Sequence, residues 1–317
     1  MRELIDDVFV AALGHAAPDA RCDAAALPPV DGELMITTDG FTVQPLEFPG
    51  GDLGSLAANG SINDLAVAGA QVRWLSLGVI LEEGLELACL RRLVASFAAA
   101  VQAAGARVVA GDTKVVPRGH GGGAYFNVTG VGVQRRRDID IARVAPGDAV
   151  LVSGPVGDHG IAVLLARQDF DLRGPARSDC AAVLELCRAL WPLPGLRFMR
   201  DPTRGGLATV AHEIAQGAGV SIRLREPDLP VRDATRSVCE MLGYDPLYLA
   251  CEGRVVAVVS AAQAPEALRR WRALEAGRGA ALIGSVGADM PQVILETAIG
   301  GERVLDELED DPLPRIC

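Results

Sequence analysis

Apolar residues in the first half of the chain fall into short dense runs separated by longer periodic stretches. The runs ELMITT (33–38), VRWLSLGVIL (72–81), ARVVAG (106–111) and AYFNVTGVGV (124–133) are rich in Val, Ile and Leu and bounded by Gly and polar residues, which predicts strands. Between them, about 54–69 after PGGD and about 85–104 before Gly105, helical spacing takes over, with the glycine as a stop. The order is β-α-β-α-β-β. The pattern breaks at Pro146-Gly147-Asp148, and AVLVSG starts a new strand. Helices then fit about 158–168, 179–190, 205–217, 233–242 and 263–275, and strands fit 220–225, 254–260, 281–286 and 292–297. From 306 no periodicity remains. DELEDDPLPRIC is acidic, broken by proline, and reads as a mobile tail. The expected fold class is α/β (α+β), with an N-terminal domain over 1–144, a C-terminal α/β domain over 145–303 and a flexible tail over 304–317.

Composition supports that picture. A chain of 317 residues, 50% hydrophobic and 22% charged, is globular and long enough for two cores. No run approaches the ~18 apolar residues of a membrane span. The start, MRELIDDVFV, is acidic and amphipathic rather than a secretory signal, so no membrane role and a cytoplasmic location are expected. A net charge of -11 argues against nucleic acid as a partner. The one basic cluster, Arg135-Arg136-Arg137, is followed at once by acidic residues and reads as a solvated strand end. The seven cysteines include no CxxC and the four histidines have no zinc-site spacing, so no structural metal is expected. Cys89 and Cys187 fall in apolar helical patterns and read as core residues.

Lysine is nearly absent. Among 30 basic residues the only lysine is Lys114. Lysine can lose its proton in a protein site and arginine effectively cannot, so Lys114 is either a chance survivor or a place where arginine will not serve. Asp39 in TTDGF, Asp64 in GSINDLAVAGA and Asp112 in VVAGDTKVV sit beside strand or helix ends. Singly each serves as a turn former or cap; together they suit magnesium and a nucleotide, since magnesium takes one or two carboxylates plus phosphate oxygens. The glycine-rich turns SGPVGDHG (153–160) and DPTRGGLATV (201–210) precede helices, where backbone N–H groups favour anions; each is equally an ordinary capped helix start. Glu252 occupies a Gly-bounded turn, of interest only if folding brings it beside Lys114.

The motifs TTDGF, FPGGD, NDLAVAGA, EEG, GDTKVV, GDHG, SDC, RDPTRGGLA, GYDPLYLACEG and a terminal PRIC follow one another in order from one end of the chain to the other. In this the chain resembles the HypE carbamoyl dehydratases of hydrogenase maturation, within the superfamily of aminoimidazole ribonucleotide synthetase and selenophosphate synthetase. The resemblance implies mixed sheets of the aminoimidazole ribonucleotide synthetase-like fold. It also implies an ATP-dependent dehydration on the terminal Cys317. A HypF-type carbamoyltransferase loads that thiol, the carbamoyl group becomes a thiocyanate, and the nitrile passes to a HypC–HypD-type iron scaffold as a cyanide ligand of [NiFe] hydrogenase.

By the same resemblance Asp39, Asp64 and Asp112 hold Mg2+ and ATP, Asp201 contributes from the second domain, and Arg204, Gly205 and Gly206 support phosphate. Lys114 and Glu252 are the candidate bases for the two amide protons, with Asp158 and His159 as lesser contributors and His159 more a structural hydrogen-bonding residue than a base. A homodimer is implied, its N-terminal sheets closing into a barrel. The chain departs from the family at three places. It starts just after the usual Gly-rich HGxGG segment, which puts part of the phosphate contact in question. Cys251 replaces a common Asn, and Gly40 a common Ser. Two other readings stay open: an ATP enzyme of the same superfamily acting on a free small molecule, and a carrier that presents Cys317 without turning over ATP.

Overall fold

Two sheets organise the chain. The computed structural model describes residues 2–14, 24–167, 174–309 and 313. The first sheet is built from β1 (Leu34–Phe41), β2 (Ala70–Glu82), β3 (Arg107–Val116) and β4 (Ala124–Gln134) in the order β1-β4-β2-β3. Only β2 and β3 run parallel, and the helix between them, α2 (Leu87–Ala103), is the crossover that parallel pairing demands. Helix α1 (Leu53–Val67) opens with a capping box between Asp52 and Ser55. Nearly all of α1 is buried, because it packs on α2, on the sheet and on elements of the second half. That is why it reads as apolar all round rather than as amphipathic.

The strands extend further than their apolar runs. β3 continues through Val116 because the 13-residue β2 carries the ladder on, pairing Gly78 with Asp112 and Ile80 with Lys114. Asp39 and Asp112 therefore lie inside strands rather than just beyond them. The pleat then separates them. Gly40, Asn127, Gly78 and Asp112 form one transverse row, so they share a face of the sheet. Asp39, one residue from Gly40, lies on the other face, toward the helices.

The second sheet comprises β5 (Ala149–Val152), β6 (Leu196–Arg200), β7 (Ser221–Arg225), β8 (Val256–Val259), β9 (Ala281–Gly287), β10 (Gln292–Glu296) and β11 (Glu302–Leu305), in the order β11-β10-β7-β9-β5-β8-β6. All pairs are antiparallel except β10 with β7. Helices α3 (Asp158–Arg167), α4 (Leu184–Leu190), α5 (Gly206–Ala218), α6 (Asp233–Leu242) and α7 (Ala264–Arg272) accompany it. Two of its strands, β6 and β11, were not expected. Both are short edge strands carrying Arg or Glu, where periodicity is weakest. Because β11 ends at Leu305, the tail assigned from 304 starts inside a strand. The helix expected over 179–190 begins only at Leu184: Ser178 accepts the Cys180 N–H and Asp179 the Glu252 N–H, which commits that stretch to an irregular path.

One apolar cluster runs from Leu56, Phe97 and Phe126 through Leu184 to Trp271, so the two halves share a core. A second lies between α5 and the other side of the large sheet. Arg136 is part of this structure, not just a solvated strand end. It donates to the carbonyls of Trp191 at 2.8 Å and Leu193 at 3.1 Å, while Arg135 and Arg137 are exposed. Cys187 is a core residue as expected; Cys89 lies half-buried beside Glu47. No helix of the described residues is long and apolar enough to cross a membrane.

The α1–α2 contact is closest at Gly54, where a Cβ would overlap the Leu93 carbonyl oxygen and crowd the Ser96 hydroxyl. Gly54→Ala is expected to destabilise the protein by about 1–3 kcal/mol, seen as a lowered thermal midpoint. An unchanged midpoint would show that the helices are free to separate.

Candidate active site

A cleft of about 490 Å³ lies between the two halves and is lined by Asp39, Asp64, Asp201, Arg204 and Glu252, with Arg200, Thr203, Thr209, Glu213 and Leu308. Each carboxylate comes from a different element. Asp39 is near the end of β1, Asp64 is on α1, Asp201 follows β6, and Glu252 precedes β8. Thr37 of β1 donates to Asp64 at 2.6 Å and fixes its rotamer toward the strand.

Crowding Asp39, Asp201 and Glu252 out of water raises their proton affinity. Asp39 is pushed up to about 7, first by burial and then by Asp64, to which it is also hydrogen-bonded. Asp201 is likewise raised to about 7 by burial and by Asp64, against the opposing pull of Arg200. Glu252 is only 3% exposed and is raised well above the usual carboxylate value by burial, then by Asp201 and Asp179. Its Oε1 has no hydrogen-bond partner among the described residues.

The cationic wall comes from the DPTRGG turn. Gly205 and Gly206 take left-handed φ values of 69° and 59°, and a Cβ at Gly206 would come within 2.6 Å of the Leu247 and Leu249 carbonyl oxygens. Glycine is required there by both conformation and space. Gly205 is the N-cap of α5 and supplies no side-chain cap, so an anion in the cleft would meet an open helix N-terminus beside Arg204.

Asp112 and Lys114 are not in this cleft. They line a neighbouring one of about 480 Å³ on the open face of the first sheet, with Gly78, Ile80, Tyr125 and Asn127. The two clefts share Gly40 and Phe41. Lys114 is exposed there, and within one chain folding does not bring Glu252 beside it. Gly40 has room for a larger residue, the nearest atom to a Cβ being Asn127 Nδ2 at 3.8 Å. Asp158 and His159 line neither cleft. Asp158 accepts from Thr235 at 2.7 Å and pairs with Arg232 at 3.3 Å. His159 Nδ1 lies 2.8 Å from the Ser178 hydroxyl, and its ring meets Phe48 edge-on. Cys251, fully buried, accepts the Gly157 N–H at 3.1 Å. Cys317 lies outside the described residues. Among those described, no group of three or more His, Cys, Asp or Glu is already gathered as a metal-ligand set.

Three contributors went unrecognised in the sequence. Arg200 and Thr203 sit within RDPTRGG itself, so the motif carried the signal. Asn63, beside Asp64, is buried and ties α1 to the backbone that carries Glu252. Its amide donates to the carbonyls of Ala181 at 3.1 Å and Glu252 at 3.5 Å and accepts from Val183 N–H at 2.8 Å. Nothing local in NDL distinguishes that role from helix capping.

Comparison with known proteins places this geometry. Residues 21–134 match the AIR synthase related protein N-terminal domain, and 145–295 the C-terminal domain of the same family. The chain is 47% identical to carbamoyl dehydratase HypE of Rhodobacter capsulatus, covering all of this chain and 95% of that protein. The chain belongs to the HypE carbamoyl dehydratase family. The Escherichia coli HypE is 41% identical over all of this chain and 96% of its own length. A crystal structure of HypE in complex with ATP superposes with a TM-score of 0.94 at 42% identity, covering 100% of this chain and 96% of that one. HypE in a HypE–HypF complex superposes at 0.84 and 41% identity, over 96% of this chain and 99% of that one. A thiamine monophosphate kinase, at 19% identity and a TM-score of 0.65 over 87% of this chain and 91% of its own, shares the fold alone. The family read from the motifs holds over the full length, and with it the carbamoyl dehydratase activity in hydrogenase maturation.

A carboxyl whose folded pKa lies above its unfolded one binds protons more tightly in the native state. Its contribution to stability is therefore present at low pH and lost as pH rises through the folded value. For Asp39 and Asp201 the window runs from the ordinary 3.8 to about 7. Asp201→Asn is expected to raise the thermal midpoint more at pH 8 than at pH 5, by about 2–4 °C at the higher pH. An equal difference at both pH values would contradict the assignment.

Proposed function

We propose that the chain uses ATP to dehydrate an S-carbamoyl group on its own Cys317 to a thiocyanate. The observation that carries this reading is the cleft itself, where three aspartates and an open helix N-terminus with Arg204 face a buried, unpartnered Glu252 oxygen. Residues approaching the chain's end run along it. Tyr248 donates to the Asp306 carbonyl at 2.7 Å, and Leu308 lines the cleft. The unit boundaries at 144/145 and near 303 belong to the same reading, with the shared cleft between the units.

The chemistry follows from the group transformed. An amide oxygen leaves poorly. Transfer of the γ-phosphoryl group of ATP to it gives an O-phosphorylated imidate and ADP with loss of one N–H proton. Breaking the C–O bond then releases phosphate, and loss of the second proton leaves C≡N on sulfur. The chain's part is positioning and charge neutralisation. Arg204 and the turn at Gly205 and Gly206 would hold phosphate, the Gly206 N–H itself being closed onto the Thr203 carbonyl at 3.0 Å. The residues also fit a magnesium ion: Asp39, Asp64 and Asp201 line one cleft and could supply the one or two carboxylates that magnesium takes alongside phosphate oxygens and water. Magnesium bound there would neutralise the phosphates. Glu252, ionised at the moment of transfer, would take one amide proton.

Lys114 is the second proposed base, and Asp112 its neighbour at the nucleotide. Both stand on the open sheet face, which also exposes Leu34, Ile36 and Ile80, with Ile36 73% exposed. A second copy pairing its own open face would cover these residues and enclose the Lys114 cleft, making the protein a homodimer. A HypF-type carbamoyltransferase would load Cys317 and a HypC–HypD-type iron scaffold would accept the nitrile, all in the cytoplasm.

Intact-mass analysis tests the reaction. After loading by the carbamoyltransferase, the Cys317 adduct is expected to lose one water only when Mg-ATP is added, and Cys317→Ser to take no adduct. A carbamoyl adduct unchanged by ATP would favour a carrier; ATP turnover on a free substrate without Cys317 would favour a small-molecule enzyme. Glu252→Gln and Lys114→Arg are each expected to slow water loss by about 100-fold or more, and a normal rate removes that residue as a base. Ile36→Asp should convert dimer to monomer in sedimentation. A parent already monomeric at micromolar concentration would refute the pairing.

A further inference from the structure

Leu313 is the one residue described beyond position 309, and it is 3% exposed, a member of the main apolar cluster. Its neighbours in sequence, EDDPLPR, give no reason for burial. Its place in the fold does. A Cβ at Gly160 would lie 3.4 Å from Leu313 Cδ1 and 3.1 Å from Leu249 Cβ, so the leucine fills the space left where α3 has no side chain. Gly160 N–H is bonded to the Ala250 carbonyl at 3.2 Å, and Glu252 follows two residues later. The path leading there is also fastened. Gln216 donates to Glu307 at 3.2 Å, in addition to the Tyr248 bond to Asp306.

We infer that the depression over Gly160 and Leu249 is a binding subsite for the chain's own Leu313, which makes that leucine a positioning residue for the thiol four residues beyond it. The inference rests on the reading of Cys317 as the modified residue. Four residues span at most ~14 Å, and the two from Ala250 to Glu252 at most ~7 Å. Cys317 can therefore reach Glu252 while Leu313 stays seated. Once Leu313 leaves, the nine residues from Leu308 span up to ~30 Å, enough to enter another protein's site. The apolar anchor thus divides the thiol's time between its own cleft and a partner. The ligand class is a branched aliphatic side chain at a fixed distance from a cysteine.

Trypsin reads the seated fraction directly. Cleavage after Arg315 removes Ile316 and Cys317, and the protease must grip Leu313, two residues before Arg315, in an extended strand. When opening is fast, the rate follows the population released. Full-length Leu313→Ala and Leu313→Asp are expected to lose the dipeptide about tenfold faster than the parent, and Leu313→Met at nearly the parental rate. Rates are divided by those of a 306–317 peptide bearing the same substitution. Equal corrected rates in parent, Leu313→Ala and Leu313→Asp would overturn the subsite. In the carbamoylated protein, Leu313→Ala should slow ATP-dependent water loss several-fold without slowing loading, and a fall in loading instead would also overturn the positioning role. If the parent itself never loses water while the trypsin ratios hold, the subsite stands and the dehydratase reading of Cys317 fails.

Discussion

The cleft depends on one buried amide. Asn63 sits on α1, the helix that carries Asp64, and its side chain is spent entirely on the backbone of the second half, at Ala181, Val183 and Glu252. Asp179 reinforces it from behind by accepting the Glu252 N–H at 3.1 Å. The residue that would handle phosphate charge and the residue that would handle protons are thus tied to adjacent positions of one helix. A buried amide with its donors and acceptor satisfied tolerates little displacement, since each lost bond strands a polar group out of water.

That rigidity lets the cleft hold charge it would otherwise shed. Asp39, Asp64, Asp201 and Glu252 would separate or take up water in a looser structure. Held in place, Asp39, Asp201 and Glu252 are driven toward the protonated state by burial and by the carboxylates around them. In the proposed reaction the same arrangement would receive a cation with its nucleotide, and the raised proton affinity of Glu252 would suit a base near neutral pH. Asp179 is itself neutralised by Arg254 at 3.4 Å, and Arg254 also reaches Asp158 at 3.9 Å. The residues of the GDHG and SDC motifs therefore form the support under Glu252 rather than a second set of reactive groups.

The first sheet contributes through its two faces. Its helix side carries Asp39 and packs against α1; its open side carries Asp112 and Lys114 among exposed aliphatic residues. Since successive side chains of a strand point oppositely, carboxylates that look alike in sequence serve two compartments joined only at Gly40 and Phe41.

Sequence alone determined a good deal. The dense apolar runs located most of the strands. The ordered motifs, ending in PRIC, identified the family, and RDPTRGG marked a glycine turn that opens a helix, because glycine at left-handed φ and an uncapped helix start are local properties that local residues encode. The lone lysine was visible only as an oddity of composition. Tertiary structure decided what each residue faces. The length of β2 turned Asp112 and Lys114 from loop residues into strand residues, and the pleat sent them away from Asp39. Asn63 acquired its role from segments about 120 and 190 residues distant. Leu313, polar-flanked in a stretch that reads as tail, is buried because Gly160 leaves room for it. Such pairings depend on which surfaces meet after folding, and no periodicity or motif within a single segment records that.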